Sequence, residues 1–370
     1  MHLNLTETQQ RIEATAKTFT AESLLDAAAG FEVAERVPPT IYEALGERGL
    51  MAVNVPAALG GSEAGVVSYS LAMMAIARGC ASTAVTMAVT NMVGEVVAAF
   101  GTDEQKQAVC PKLAAGAHGA FALSEADAGS DPGGMRTTAV LEDGEWVLEG
   151  TKQWISHGDT AAFLVVWART DGPGPRGLSC FLVPGDAPGL SVASHEDKMG
   201  LRASHTVSLA FENLRLPQSA LLGPRGGGFR IAMMALDGGR VGIASQAVGI
   251  GEAAYAQARE ALGESPGDQG LTFRLADMRT RLDASRLLAL RAAQLKEAGV
   301  PFSQEASIAK AFATESAWTV CNDAVDILGD AGLVRGGSAE RALRDVRVSR
   351  IYEGTSEVQR IVISRGALRG

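Results

Sequence analysis

Glu353 stands directly before Gly354 in the run Arg350-Ile351-Tyr352-Glu353-Gly354-Thr355-Ser356. A glycine lets backbone approach a ligand closely, and a carboxylate beside it is placed to take a proton from that ligand. Ser356 and Gln359 have the S-x-x-Q spacing of a capping box, so a helix is expected to start just behind the glutamate. Its first N–H groups would then share one small site with the carboxylate. A bound apolar chain that desolvated Glu353 would raise its pKa and make it a stronger base. The same residues also suit a surface glutamate at a helix start, where the helix dipole favours negative charge.

Other candidates are less specific when read alone. Trp154 in a strand-rich stretch is equally a core aromatic. Arg240 on a helix face would ordinarily be solvated. Arg341, Arg344, Arg347 and Arg350 recur every third residue and would form a slowly drifting basic stripe on a helix. That stripe suits either a surface face paired with Glu340 and Asp345 or a docking face for an anionic partner. Cys80, Cys110, Cys180 and Cys321 are widely scattered, without zinc or dithiol spacing, and read as small core residues. The five histidines show no metal-ligand spacing either.

These residues must be positioned by a sizeable fold. The chain has 370 residues, enough for two or three domains. With 33 basic and 42 acidic residues its net charge is −9, the wrong sign for a generic nucleic-acid or anionic-membrane binder. The apolar stretch from Ala81 to Phe100 is broken by Asn91 and Glu95, so it reads as a buried helix rather than a membrane span. The amino terminus has no basic region followed by an apolar run, so no secretion signal is expected and a cytoplasmic location is the default.

Three parts follow from the patterning. Residues 1–118 read as helices: Leu71, Met74, Ala75 and Arg78 have helical spacing, and Thr102 to Gln105 forms a capping box. A further helix or turn from Lys106 to Leu113 is expected to be interrupted by Pro111. Residues 119–222 change to short β-rich runs, at Glu145–Leu148, Phe163–Ala168, Cys180–Val183 and Thr206–Leu216, which predicts a compact antiparallel β-domain. Residues 223–370 return to long amphipathic helices, Phe273–Ala298, Ser303–Leu328 and Ala339–Ile351 among them, and predict a four-helix bundle. The clusters Gly226-Gly227-Gly228 and Gly336-Gly337 lack a preceding parallel strand, so a dinucleotide-binding α/β fold is not expected.

Five segments, in register over essentially the whole chain, resemble the acyl-CoA dehydrogenases. They are Phe121-Ala122-Leu123-Ser124-Glu125-Ala126-Asp127-Ala128-Gly129-Ser130-Asp131, Gly150-Thr151-Lys152-Gln153-Trp154-Ile155-Ser156, Lys198-Met199-Gly200-Leu201-Arg202, Leu236-Asp237-Gly238-Gly239-Arg240, and Arg350 to Arg360. The resemblance implies an α+β multidomain fold: an N-terminal helical domain, a middle β-domain and a C-terminal bundle. It implies FAD as cofactor, a homotetramer or homodimer, and α,β-dehydrogenation of an acyl thioester. Glu353 would abstract the α-proton and flavin N5 would accept the β-hydride. An electron-transfer flavoprotein would be the acceptor, and neither nucleic acid nor membrane is expected as a partner.

Site residues are implied in the same way. Phe121, Leu123, Ser124, Gly129, Ser130, Trp154, Ile155, Ser156, Gln269, Gly329, Thr355 and Glu357 would contact FAD. Ser124 would serve the pyrimidine edge, Ser156 the N5 side, and Trp154 would pack against the ring. Ser130, Leu236, Asp237, Arg240, Tyr352 and Gly354 would contact the substrate, and no metal is implied. The isovaleryl-type enzymes carry their base directly before the arginine matching Arg240. Here that residue is Gly239, which leaves Glu353 as the candidate base among the matched positions.

Some positions depart from the family's pattern. The stretch before Phe273-Arg274-Leu275-Ala276-Asp277-Met278 is shortened to Gly263-Glu264-Ser265-Pro266-Gly267-Asp268 and lacks R-x-x-F-G, which holds the ADP half of FAD in the neighbouring subunit. Asp326 and Asp330 stand where the family has glutamine and glycine, and a carboxylate near phosphate is repulsive. Ala126 replaces a customary proline. The LDGGR and YEGTSE forms most resemble the short-chain branch. A carrier-protein-linked acyl dehydrogenase, and a non-catalytic acyl-thioester-binding protein with weakened FAD binding, are the alternatives. A DNA-repair-associated branch would require a more basic surface.

Overall fold

The computed structural model of the protein describes residues 4–264 and 267–369. Residues 1–3, part of the amino-terminal run read for a secretion signal, and residues 265 and 266 of the shortened stretch lie outside the described residues.

Six helices come first: α1 (Glu7–Ser23), α2 (Ala28–Val33), α3 (Pro39–Glu47), α4 (Val66–Gly79), α5 (Ala81–Phe100) and α6 (Asp103–Ala114). Helix α5 has the length and composition of a membrane span, yet 78% of its most apolar window is buried inside the protein. It is the core helix that the polar breaks at Asn91 and Glu95 anticipated. Asn91 accepts from Val53 N at 2.7 Å, so its amide serves a buried turn. The capping box at Thr102 forms with both bonds: Gln105 N donates to Thr102 Oγ1 at 3.3 Å, and Thr102 N donates to Gln105 Oε1 at 2.9 Å. Pro111 does not interrupt α6. It lies in the last turn, its own carbonyl still accepts from Ala115 N at 3.0 Å, and the helix runs on to Ala114.

The middle part holds β1 (Gly119–Ala122), β2 (Thr138–Glu142), β3 (Glu145–Ser156), β4 (Phe163–Arg169), β5 (Leu178–Pro184), β6 (Leu190–His195) and β7 (Thr206–Pro217). They form one sheet in the order β1-β4-β2-β3-β7-β6, with β5 also paired to β4. The pairings β2–β3, β3–β7, β4–β5 and β6–β7 are antiparallel, as the alternating runs imply. Strand β1 instead runs parallel to β4, and β2 meets β4 in parallel at Thr138↔Arg169. Parallel neighbours need a long crossover, and residues 123–162, with the β2–β3 hairpin inside them, supply it.

The last part holds α7 (Gly228–Leu262), α8 (Gln269–Glu297), α9 (Ser303–Leu328), α10 (Ser338–Val346) and α11 (Ser356–Arg369). Helix α7, with 35 residues, spans about 52 Å and joins all three parts. Its first residue accepts from Trp167 Nε1 at 2.7 Å, and Trp167 is fully buried. Burying such an indole contributes about 5 kcal/mol of transfer free energy. Farther along, Gln246 Nε2 donates to Ala81 O at 2.9 Å, tying α7 to the start of α5. The expected continuous helix from Ala339 to Ile351 breaks after Val346 into a 3₁₀ turn, Arg347–Arg350.

The arginine stripe is therefore bent, and Arg344, Arg347 and Arg350 are engaged within the chain. Arg344 pairs with Glu340 and with Glu32 of α2. Arg350 pairs with Glu315 at 2.8 Å, and Arg347 and Arg350 lie 5.6 Å and 5.9 Å from the Trp318 ring centroid. These side chains fasten α10 and the turn to their neighbours rather than forming a free docking face.

Candidate active site

Glu353 and Gly354 occupy consecutive left-handed backbone conformations, with φ of 54° and 90°. A non-glycine residue held there costs on the order of 1 kcal/mol, and such strain gathers at functional sites. Two side chains hold the turn. Lys310 Nζ donates to Gly354 O at 2.7 Å, and Gln359 Nε2 donates to Gly354 O at 2.8 Å and Glu353 O at 3.3 Å. Helix α11 does start just behind, but Thr355 caps it: Val358 N donates to Thr355 Oγ1 at 3.3 Å. Ser356 is already the first helical residue, and its hydroxyl donates to Glu315 Oε1 at 2.8 Å. Gln359 thus serves the turn rather than a capping box.

The Glu353 carboxylate faces α7 at Gly239. A Cβ on that glycine would stand 2.5 Å from Glu353 Oε2 and 3.4 Å from Met92 Sδ. Glu353 Oε2 is buried and has no hydrogen-bond partner among the described residues. Burial raises the Glu353 pKa to about 7, although the positive charges of Arg240 and Lys310 oppose the rise. Burial likewise lowers Lys310 to about 8, with Glu353 holding it up. An unpaired carboxylate that titrates near neutrality, against a notch in a helix, can accept a proton from whatever fills the notch.

The flanking residues are fixed by polar contacts. Arg240 is buried and pairs with Asp237, which also accepts from Ser303 Oγ at 2.9 Å. Burial raises the Asp237 pKa. Arg240 Nε has no partner among the described residues. Tyr352 donates its hydroxyl hydrogen to Gln246 Oε1. Beyond Gly239, a Cβ at Gly238 would lie 2.6 Å from Lys296 Nζ. Lys296 bonds Glu95 Oε2 at 2.5 Å, and Asn54 Nδ2 bonds Glu95 Oε1 at 2.6 Å. Lys296, Glu95 and Asn54 thus form a polar cluster against α7 one residue from Gly239.

The two loops of the β-domain are bound to each other. Lys152, fully buried, donates to Leu123 O at 3.1 Å and Glu125 Oε1 at 2.7 Å. Glu125 also accepts from Arg136 N at 2.6 Å and Thr137 N at 3.1 Å. Gln153 N donates to Ser124 O at 2.9 Å. Trp154, the next residue, has φ 63° and is 58% exposed, on a register shift between Lys152 and Ile155. It is a presented surface ring, not a core aromatic. Ile155 is buried and Ser156 half-buried, while Gly129 and Ser130 are exposed. Phe121 packs on Trp167 with ring centroids 4.4 Å apart. Leu123 and Met92 belong to one buried cluster with Leu236 against it, and Met92 also borders Gly239.

Two expected residues stand apart. Gln269 opens α8, whereas Lys296 lies 27 residues later on the same helix, about 40 Å away. Gly329 follows the end of α9, 19 residues and about 28 Å beyond Lys310. Both are exposed at the far end of the bundle, beside Arg274, which pairs with Asp326 at 3.1 Å and Asp323 at 3.9 Å. One chain cannot bring them to the Glu353 notch. Asp330 is exposed in the turn after Gly329, and Glu357 is exposed in the first turn of α11.

Sequence reasoning overlooked Lys310, Lys152 and Glu125. Two of them carried a signal. Lys310 interrupts the buried small-residue face of α9 at Ala306, Ala309, Ala313 and Ala317. Lys152 falls on the inward side of β3, in step with Trp146 and Leu148. A charge at a core position requires a partner.

Comparisons with known proteins agree along the chain. The acyl-CoA dehydrogenase N-terminal, middle and C-terminal domains match residues 6–117, 120–214 and 226–368. The short-chain specific acyl-CoA dehydrogenase, mitochondrial, of Bos taurus is 45% identical over 99% of this chain and 92% of its own length. Butyryl-CoA dehydrogenase from Megasphaera elsdenii superposes with a TM-score of 0.96 at 36% identity, over all of both chains. A chain from a structural study of the electron transferring flavoprotein of Acidaminococcus fermentans does so with a TM-score of 0.96 at 39% identity, again over all of both chains. The chain belongs to the acyl-CoA dehydrogenase family, whose members are flavin-dependent oxidoreductases of CH–CH donors.

Proposed function

We propose that this protein oxidises short acyl-CoA thioesters at the α,β bond with FAD, and that Glu353 takes the α-proton. The observation that carries the reading is Glu353 Oε2: buried, unpaired among the described residues, and facing the Gly239 notch. A thioester whose α-carbon entered the notch would present its proton to this oxygen. The pKa near 7 makes Glu353 a strong enough base while leaving it largely ionised just above neutrality. Lys310 and Gln359 hold the turn, so the carboxylate is positioned before substrate arrives. Arg240, paired to Asp237, places a positive charge at the same wall and favours ionised Glu353.

The residues present fit FAD. The presented Trp154 ring, with Ser124 and Ser156 half-buried on two bound loops and Gly129 and Ser130 open beside them, would hold the isoalloxazine and its arm. Phe121, Leu123, Ile155, Thr355 and Glu357 would complete that set. When bound, FAD supplies the acceptor for the β-hydride. Gln269 and Gly329 would serve the ADP half from a second copy of the chain, because about 40 Å of α8 separates Gln269 from the notch. This separation supports a homo-oligomer, a dimer or tetramer, as part of the reading.

Leu236, Asp237, Arg240, Tyr352, Gly354 and Ser130 would line the thioester's path. The Glu95–Lys296–Asn54 cluster, one residue along α7 from the notch, would disfavour long acyl chains that pressed methylenes against its ion pair. The short-chain name of the bovine relative agrees. An electron-transfer flavoprotein is the proposed acceptor. CoA, rather than a carrier protein, is the proposed handle, because Arg344 and Arg350 of the stripe are engaged within the chain by Glu32, Glu340 and Glu315. The test is the flavin absorbance of purified protein under anaerobic addition of butyryl-CoA. Prompt bleaching supports the reading, and an unchanged band or a protein that retains no added FAD refutes it.

A further inference from the structure

All four histidines among the described residues, His118, His157, His195 and His205, gather at one edge of the β-domain. The His118 and His157 ring centroids are 4.8 Å apart, and those of His195 and His205 are 6.1 Å apart. A cleft of about 480 Å³ opens there, lined by His118, His157, Thr160 and His205 and closed by Tyr42 of α3. The first pair is committed to structure. His157 is buried with Nε2 shared between Thr86 Oγ1, at 2.5 Å, and Ser204 Oγ, at 3.1 Å. His118 bonds Thr160 Oγ1 at 3.1 Å and packs edge-on against Tyr42.

The second pair has a different geometry. His205 Nδ1 and His195 Nε2 converge on one oxygen, Asp159 Oδ2, at 2.6 Å and 3.2 Å. The ligand atoms of all three residues lie within 4.8 Å of one another. Asp159 Oδ1 is buried and has no hydrogen-bond partner among the described residues, so the carboxylate keeps lone pairs in reserve. We propose that Asp159, His195 and His205 bind a divalent transition-metal ion, zinc by ligand preference.

Two imidazoles and one carboxylate suit zinc and its late first-row neighbours, whereas magnesium and calcium prefer all-oxygen sets. Zinc at about 2.0–2.2 Å from each ligand places tetrahedral ligand atoms roughly 3.3 Å apart. His195 already stands at that spacing from Asp159, and His205 must retreat by about 0.7 Å to reach it. The backbone is fixed on all three sides. His195 ends β6 in register with Val207 of β7, and His205 O accepts from His157 N at 3.0 Å. The turn carrying Asp159 is closed by Thr160 N and Ala161 N, which donate to His157 O at 3.0 Å and 2.8 Å. His195 is 63% exposed, so the fourth position of the ion faces water. The ion would tie β6, β7 and the turn directly after Ser156 into one unit.

The test uses tag-free, full-length protein stripped with a chelator and carrying the flavin it retains. Zinc is titrated in competition with a chromophoric chelator, and cobalt is followed by its visible bands. One ion per chain is expected. His195→Ala, a change at an exposed ring, and His205→Ala should each weaken binding by about tenfold or more. Zinc at a fixed concentration should raise the melting temperature of the wild type more than that of His195→Ala. The four cysteines are all buried and do not compete for the ion. Absence of saturable binding overturns the proposal and leaves an ordinary histidine–carboxylate pair. Equal binding by wild type and both variants places the ion elsewhere and overturns it too.

Discussion

Replacing Gly239 by alanine tests the geometry of the proposed base without touching the base itself. The added Cβ would stand 2.5 Å from Glu353 Oε2 and 2.9 Å from its Cδ, against about 3.4 Å for ordinary contact. The carboxylate must therefore retreat by about 0.9 Å. It is the end of a flexible side chain, so the fold should yield cheaply. Alanine also returns about 0.5–1 kcal/mol of helix propensity relative to glycine, which offsets part of the crowding. Catalysis has no such latitude. A misplacement of about 1 Å typically costs around a hundredfold in rate, or about 2.7 kcal/mol of barrier. The expected variant folds normally, shifts its melting temperature little, retains FAD and loses about two orders of magnitude in kcat on a short acyl-CoA. The assays are steady-state turnover with an artificial electron acceptor, thermal melting and flavin absorbance. A well-folded variant that turns over within threefold of wild type, against the expected hundredfold loss, would refute the claim that Glu353 acts from this position.

Two further outcomes follow from the buried charges. Glu353 has a folded pKa of about 7 against an ordinary 4.5, so the fold favours its protonated form. Its contribution is fully present below pH 4.5 and is lost as pH rises through 7, by about 3 kcal/mol at 1.36 kcal/mol per pH unit. Glu353→Gln cannot ionise, so urea denaturation should find it gaining that much on wild type between pH 4.5 and 8. A difference that does not vary with pH would contradict the burial argument. Lys152→Met leaves Glu125 buried without its cation and should cost about 3–5 kcal/mol, with faster loss of FAD. Adding Glu125→Gln should recover much of the stability, and denaturation midpoints that fail to recover would show that the pair is not what binds the two loops.

Much of this arrangement was legible in the chain. The capping box at Thr102, the buried helix from Ala81 to Phe100 and the β-rich middle part rest on local patterns, and local patterns survive folding. Glu353 came forward through the resemblance, since a carboxylate beside glycine at the start of a helix suits a surface glutamate equally well. What escaped was non-local. The S-x-x-Q spacing at Ser356 misled because Glu315, distant in sequence, takes the serine hydroxyl and Gln359 turns back to the Glu353 turn. The arginine stripe left a paired face and a docking face open, because Glu32, Glu315 and Trp318 come to it from other elements. Lys310 and Lys152 stand out only as charges on apolar faces, and the carbonyl and carboxylate they meet come from distant parts of the chain. Gln269 and Gly329 matched the resemblance, yet only the lengths of α8 and α9 reveal that they stand far from the notch within one chain.

The most direct test of the central claim separates proton removal from oxidation. Wild type and Glu353→Gln, both loaded with FAD, are incubated in heavy water with an acyl-CoA analogue whose β-carbon is replaced by sulfur, so that no hydride can leave. Deuterium entry at the α-carbon is followed by mass spectrometry. Wild type should exchange the α-hydrogen, and Glu353→Gln should exchange it slower by about two to four orders of magnitude. Exchange by Glu353→Gln at the wild-type rate would show that another group removes the proton.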